Sequence, residues 1–298
     1  LEARTTSVHA AAQFVLGGSA LAAAVAMFGR HWRAGPGEAG EAEALLWFCG
    51  AMAVAALVGV LYSARLLWPI ARPRWGLSAA MFDRFKRDVL PLGIAIMASL
   101  IYYKIDVPMI RYLRGDVDTG LYTAAYKVLE YSALLPAILM AATFPALSEA
   151  IVDQRETARS LHNTALLWLC LAGGAATTMT WLLPDRIIWL LFGVEFAASG
   201  PVLAALAPCI VLTYINYLLT HMLVVLGRVR AQMFICLALI GLNTALNWLW
   251  IPRWGGVGAA YATAITELVL LACCAPLVFG GLSHGSDTAV SPNEVDDG

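Results

Sequence analysis

The chain has 298 residues, of which 60% are hydrophobic and 13% are charged, and its formal net charge is −1 at pH 7. Soluble domains carry about 25% charged residues, so the composition excludes an ordinary soluble globular protein. The near-neutral charge gives no basis for nucleic acid as a partner. The six cysteines lack the spacing of a zinc site and the short secreted context of a disulfide framework.

Eight apolar stretches follow one another along the chain, and each is long enough to cross a membrane at about 20 residues per span. They lie near residues 8–29, 44–70, 89–112, 118–146, 160–183, 199–227, 229–251 and 256–281. A backbone in lipid must satisfy its own hydrogen bonds, and a helix does so within one segment. A transmembrane β-barrel fits poorly because the stretches are continuously apolar rather than alternating. The sequence therefore predicts an all-α polytopic membrane protein with about 8 transmembrane helices.

The loops between the stretches differ in basic content, which predicts their side of the membrane. One set of alternate loops carries ten Lys and Arg residues and the other carries six. The richer set includes the linker 71–88, which is either a short interfacial helix or a solvated basic loop. We place both ends of the chain and this linker in the cytoplasm. The tail 282–298 is polar and acidic, and it is predicted to be disordered.

Ionisable residues interrupt the third and fourth stretches at Asp106, Lys127 and Glu130. A charge near the centre of a membrane helix costs about 2.5–3.5 kcal/mol on insertion scales, so these residues are functional candidates. Lys127 and Glu130 are three residues apart and share a helix face, so they can form a structural ion pair. The functional interpretation instead places Lys127 in a water-filled cavity, where its ammonium binds a pyrophosphate. Arg111 lies at the outer helix end, where it either joins this substrate site or anchors the helix.

Two parts of the chain carry a family resemblance. The first contains ID at 105–106, Gly115, GLYTAAYKVLE at 120–130, Pro136 and FPALSE at 144–149. The second, at 193–267, contains GVEF, LGR and NTALNWLWIPRWGGVGAAYATAITE. In order and content they resemble the polysaccharide (O-antigen type) flippases of the multidrug/oligosaccharidyl-lipid/polysaccharide exporter superfamily.

The resemblance implies two six-helix bundles that rock about a central polar cavity, the alternating-access mechanism. On this alignment residues 89–281 form the second bundle, residues 1–70 supply the last two helices of the first, and residues 71–88 join them. About four helices are expected to precede Leu1. The implied protein is a multi-pass transporter of the cytoplasmic membrane and not an enzyme. Its implied partners are a lipid-linked oligosaccharide of polyprenyl pyrophosphate type, membrane lipids and polysaccharide-assembly proteins.

The resemblance also implies a cation site in the second bundle. Lipid II flippases of this superfamily hold sodium with an Asp on the first helix, Asn and Asp on the fifth, and a carbonyl and Thr on the sixth. The matching positions here are Asp106, Asn243, Asn247, Ala259 and Thr263. Asn247 is an amide where that pattern has a carboxylate, so Asp106 is the clear negative charge unless Glu267 contributes. One carboxylate fewer predicts a weak Na⁺ site or an H⁺ site, and the alternative is that these side chains only join helices.

Other functions stay open at this point. A multidrug exporter of the same superfamily shares the architecture, and acidic residues central to the cavity favour that function. A membrane-embedded enzyme, such as a polysaccharide polymerase or a lipid-linked glycosyltransferase, needs a sizeable loop with clustered Asp, His or Arg. The longest loop here has about 18 residues, which disfavours an enzyme. An inactive scaffold is the remaining alternative.

Overall fold

A computed structural model describes residues 50, 53–54, 57–59, 61–62, 65, 82–83 and 85–283. The chain divides into two units, Leu1–Leu77 and Ser78–Gly298, and the second contains most of these residues. Every element in the described ranges is helical, and they contain no strand. The fold class is therefore all-α, as the sequence predicts.

The helices of the second unit follow one another with short connections. A π-helical turn, Phe85–Val89, leads into α1 (Leu90–Lys104), α2 (Asp106–Arg114), α3 (Asp116–Ser132) and α4 (Leu134–Asp153). Next come α5 (Arg155–Leu182), α6 (Pro184–Phe192), a 3₁₀ helix (Val194–Ser199), α7 (Gly200–Val225) and α8 (Val229–Ser283). Within the described ranges, five stretches are long and apolar enough to cross a membrane, because α1 continues into α2 and α3 into α4.

The first predicted stretch, 8–29, lies outside the described residues, and only scattered helical residues of 44–70 are described. The assignment of residues 1–70 to a first bundle and of 71–88 to a linker therefore stays a prediction. The predicted disordered tail, 282–298, also lies outside the described residues apart from its first two, which end α8.

Helix α8 is a hairpin of two antiparallel arms rather than one rod of 55 residues. Gly255 breaks the helix with φ 56° and ψ −135°, a positive φ that glycine adopts without steric cost. Asn243 in the first arm donates to the Thr266 hydroxyl in the second at 3.2 Å. In a straight helix Asn243 and Thr266, which are 23 positions apart, would be separated by about 35 Å. Their hydrogen bond therefore requires the two arms to fold back on each other. The two arms are the last two stretches predicted from hydropathy.

Proline divides the fourth predicted span into α3 and α4. Pro136 lies in the first turn of α4, where a missing N–H is tolerated. It cannot donate to the carbonyl of Ser132, which instead accepts from the Tyr214 hydroxyl of α7 at 2.9 Å. This hydrogen bond links the break between α3 and α4 to α7.

Helix α7 is the most buried of the membrane-crossing stretches and packs against α5 and α8. Thr177 of α5 inserts its hydroxyl into the α7 backbone, where it donates to the Ala207 carbonyl at 3.1 Å and accepts from Val211 N–H at 3.2 Å. Pro208 lies inside the same turn, and both features bend membrane helices. Gly173 allows this approach, because a Cβ there would be 3.1 Å from Val211 Cα.

The outer surface of the second unit is apolar. Ile138, Trp168 and Leu171 are each more than half exposed, and we assign this surface to the lipid because water would not stabilise it.

The short helix α6 was not predicted from the sequence. Its Ile188 is buried while Trp189 is 62% exposed, a division typical of a helix that lies in the membrane interface.

The tight turn of α8 gives a stability prediction. A Cβ at Gly258 would lie 2.5 Å from the carbonyl oxygen of Trp250, whereas a Cβ at Gly241 would meet no atom within 4 Å. Because the clash is with backbone, we expect Gly258→Ala to cost about 1–3 kcal/mol. Gly241→Ala should be neutral or slightly stabilising. Thermal unfolding in detergent measures both, and equal midpoints for the two variants would contradict the hairpin geometry.

Candidate functional site

Asp106 lies at the break between α1 and α2, and its side chain is 1% exposed. The break arises where Pro108 occupies the first turn of α2. Val107 N–H donates to Asp106 Oδ1 at 2.8 Å, and the Tyr103 carbonyl accepts from the Tyr126 hydroxyl at 2.6 Å. A carboxylate at a helix N-terminus is also favoured by the helix dipole. The break therefore positions the buried acid and stabilises it.

Tyr122 of α3 is the second partner of Asp106, and its hydroxyl donates to Asp106 Oδ2. The same hydroxyl interacts with the Thr263 side chain in the second arm of α8. Its ring lies against Gly256, where a Cβ would be 3.2 Å away. Tyr122 is fully buried and so connects Asp106 to α8. Sequence analysis missed it, although a tyrosine in an apolar helix needs a hydrogen-bond partner.

The two predicted asparagines form a buried pair in the first arm of α8. Asn247 Nδ2 donates to Asn243 Oδ1 at 2.8 Å, and Asn243 in turn donates to Thr266. Asn247 Oδ1 is buried without a hydrogen-bond partner among the described residues. Thr263 donates to the Ala259 carbonyl at 3.0 Å. All five predicted cation ligands are thus buried, but no hydrogen bond joins Asp106 to either asparagine in the described ranges.

This set of oxygens suits a hard cation, which takes carboxylate, amide, hydroxyl and carbonyl ligands. Among these oxygens, Asn247 Oδ1 accepts no hydrogen bond from a described residue. A buried amide oxygen without a donor is costly, and a bound cation would remove that cost. Among residues 85–283 and the other described positions, no group of three or more His, Cys, Asp and Glu residues comes together. The residues present therefore fit Na⁺ better than a transition metal.

Glu267 does not contribute to the Asp106 cluster. It is fully buried, and Asn216 Nδ2 of α7 donates to its Oε2 and to its backbone carbonyl, each at 2.8 Å. Tyr102 of α1 donates to its Oε1 at 3.5 Å. The hydrogen bonds of Glu267 therefore join α1, α7 and α8, which is the behaviour of a polar group that holds membrane helices together.

A cluster of three charged side chains, Lys104, Glu130 and Lys127, lies on the surface of the second unit. Glu130 Oε1 pairs with Lys104 Nζ, and Glu130 Oε2 pairs with Lys127 Nζ at 2.9 Å. The predicted pair of Lys127 and Glu130 is therefore present, and Lys104 is an addition that sequence analysis missed. The three side chains are 51%, 35% and 41% exposed in the order named. We call them the lysine cluster.

The lysine cluster lies deep in the membrane-crossing region. Lys104 precedes the end of α2 at Arg114 by ten residues, and Lys127 follows the start of α3 at Asp116 by eleven. At 1.5 Å per residue these separations are about 15 Å and about 17 Å. Both lysines therefore lie well inside stretches that are long and apolar enough to cross a membrane, rather than at their ends. Each ammonium also lies over an aromatic ring: Lys104 over Tyr126 at 5.1 Å and Lys127 over Tyr131 at 5.8 Å.

Arg111 is not part of the lysine cluster. Its Nε pairs with Asp116 Oδ1 at 2.8 Å, and both side chains are more than 70% exposed. It lies seven residues beyond Lys104, about 10 Å further along the helix. The structure therefore places it at the junction of α2 and α3, where it joins the two helix ends.

Two family models match the chain. One, described as polysaccharide biosynthesis protein, matches residues 4–151, and the other, MatE, matches residues 91–249. A similar protein is the probable low-salt glycan biosynthesis flippase Agl15 of Haloferax volcanii, 24% identical over 230 residues. The alignment covers 77% of this chain and 48% of that relative, so the chain spans about half the length of the relative. No solved structure matches the chain significantly.

The bond between Tyr122 and Asp106 gives a second prediction. Tyr122→Phe removes a buried donor from a carboxylate, which should cost about 1–3 kcal/mol. Tyr112→Phe is the matched control, because Tyr112 is 80% exposed. Thermal unfolding of the two variants in detergent checks this expectation. If Tyr122→Phe is as stable as the control, the Tyr122 hydroxyl does not support Asp106.

Proposed function

This chain belongs to the MatE family, and we propose that it acts as a flippase that moves lipid-linked oligosaccharides across the cytoplasmic membrane. The matched families are transporter and flippase families rather than enzyme families. The other matching family model, described as polysaccharide biosynthesis protein, and the Haloferax relative, named as a probable glycan biosynthesis flippase, support a glycan precursor as the cargo.

The observation that carries this proposal is the lysine cluster. Charged side chains within membrane-crossing stretches almost always face a water-filled cavity or the interior of a protein rather than lipid. Two ammonium groups within reach of one carboxylate suit a multiply charged phosphate group. We therefore assign the pyrophosphate of a polyprenyl-linked sugar to Lys104 and Lys127. Arg111 is left out of this site because it lies about 10 Å further along the helix, at the junction with Asp116.

Alternating access is the expected mode of transport. Binding sites in transporters are commonly built where membrane helices are discontinuous. The breaks between α1 and α2 and between α3 and α4 lie next to Asp106 and the lysine cluster. This placement supports a moving part at the binding region. The proposed orientation keeps the chain ends in the cytoplasm, and polysaccharide-assembly proteins are proposed partners.

Coupling to a cation is the energetic part of the proposal. Asp106, Asn243, Asn247, Ala259 and Thr263 would hold Na⁺, or Asp106 alone would carry H⁺. A bound cation would balance the buried charge of Asp106 and satisfy Asn247 Oδ1. No other cofactor is proposed. The amide at Asn247 in place of a carboxylate predicts weak affinity.

A multidrug exporter is the alternative, and the lysine cluster argues against it. Two lysines and one glutamate give this surface a net positive charge, which repels an organic cation and attracts an anion. The two functions therefore predict opposite binding preferences, which a single binding assay can distinguish.

Binding of a short prenyl pyrophosphate tests the proposed cargo. We expect the purified protein to bind farnesyl pyrophosphate more tightly than farnesol or tetraphenylphosphonium. Lys104→Ala and Lys127→Ala should each weaken that binding about tenfold, because a charged hydrogen bond contributes about 1.5–3 kcal/mol. Lys86→Ala, at the exposed turn before α1, is the control. Titration calorimetry in detergent measures the affinities. Unchanged binding in both lysine variants, or preference for the organic cation, would refute the proposal.

The cation site has its own test. A ligand that binds only the folded state stabilises it, and about 1 kcal/mol shifts the unfolding midpoint of a chain this size by about 2–4 °C. We expect NaCl to stabilise the wild type relative to choline chloride at equal ionic strength. Asp106→Asn should lose this difference, whereas Asp116→Asn, at an exposed ion pair, should keep it. If acidification stabilises the wild type but Na⁺ does not, H⁺ replaces Na⁺ in the proposal. If Asp106→Asn keeps the full effect, the site is wrong.

A further inference from the structure

Glu130 occupies the middle of the lysine cluster and uses both carboxylate oxygens. Oε1 pairs with Lys104 and Oε2 with Lys127. The carboxylate therefore presents two anionic oxygens to two ammonium groups, which is also how a phosphate group would bind them. Glu130 lies on α3 with Lys127, whereas Lys104 is the last residue of α1.

A purely structural pair would need only one lysine for one carboxylate. The cluster instead has one positive charge in excess, and each of its side chains is at least one-third exposed. Ion pairs that water reaches are weak and exchange readily. The contacts of Glu130 are therefore suited to being broken and remade, unlike the fully buried hydrogen bonds of Glu267.

We propose that Glu130 is a built-in competitor for the anionic group of the substrate: its carboxylate fills the position between the two lysines and is displaced when a phosphate-bearing lipid binds. This inference rests on the proposed function, because it assumes that the lysine cluster is the substrate site. It adds a release step. As the phosphate leaves, Glu130 returns to both lysines.

The exchange explains why a carboxylate stands in a site for an anion. Without Glu130, two ammonium groups that now share one carboxylate would repel each other within the membrane-crossing region. A bound pyrophosphate would also be harder to release without Glu130, because no carboxylate would compete with it for the two ammonium groups. Glu130 therefore lowers the affinity for substrate and balances one of the two ammonium charges in the empty site.

The test is the affinity for farnesyl pyrophosphate in detergent. We expect Glu130→Gln to bind the probe about tenfold more tightly than the wild type. Glu195→Gln is the matched control, because it removes the same charge from an exposed position in the 3₁₀ helix and should bind as the wild type does. In a Lys127→Ala background the gain from Glu130→Gln should shrink, since one of the two displaced contacts is absent.

A measurement on the wild type keeps the test independent of folding in the variants. A water-soluble carbodiimide condenses a carboxylate with an adjacent amine into one amide and takes up the oxygen that is lost as a urea, so in each molecule it should cross-link Glu130 either to Lys104 or to Lys127. Mass spectrometry measures the yield, and prior binding of farnesyl pyrophosphate should reduce it while farnesol should not. An unchanged yield with the probe bound, or weaker probe binding in a folded Glu130→Gln variant, would overturn the competitor role.

The outcomes distinguish this inference from the proposed function. If the lysine variants weaken probe binding and Glu130→Gln does not strengthen it, the competitor role fails and the substrate site stands. If neither lysine affects probe binding, the proposed site fails and the competitor role fails with it.

Discussion

The cost of placing charge inside a membrane is the constraint on which the rest of this structure depends. The second unit meets it in two ways. Asp106 and Glu267 are buried and receive hydrogen bonds from tyrosine or asparagine donors on neighbouring helices, so their cost is reduced within the protein. The lysine cluster is paired internally but remains exposed, so it needs water or a ligand. The first solution stabilises the bundle, and the second is the proposed binding surface.

Helix breaks bring these two kinds of site together. Proline residues end α1 and α3 within membrane-crossing stretches, and tyrosine hydroxyls bind backbone carbonyls at both breaks. Polar backbone groups at membrane depth are otherwise costly. Asp106 therefore lies at a break that also carries Lys104, two residues before it. A movement of α2 relative to α1 would change both the buried acid and the lysine cluster.

The sequence predicts the parts of this account that depend on local periodicity and composition. The all-α class and the spans of residues 89–281 follow from hydropathy, and the pair of Lys127 and Glu130 follows from its spacing of three. Lys104 and Tyr122 were missed because their partners lie 26 and 16 residues away, and such contacts depend on how α1 and α2 pack against α3 across the connection at Gly115. Arg111 was predicted at the outer helix end, and the structure pairs it there with Asp116; its role in substrate binding stays a prediction.

Water access to the lysine cluster tests the central claim most directly. The native cysteines are first replaced, and Lys127→Cys is then introduced as the single cysteine. In membranes that contain this variant, the cysteine should react with a charged, membrane-impermeant thiol reagent. Leu171, also exposed on the second unit and near the middle of its helix, should be protected when replaced by cysteine, because lipid excludes the reagent. Reaction at position 127 and protection at 171 is the predicted result. Equal protection at both positions would mean that the lysine cluster faces lipid or protein, and the account of a substrate cavity would be wrong.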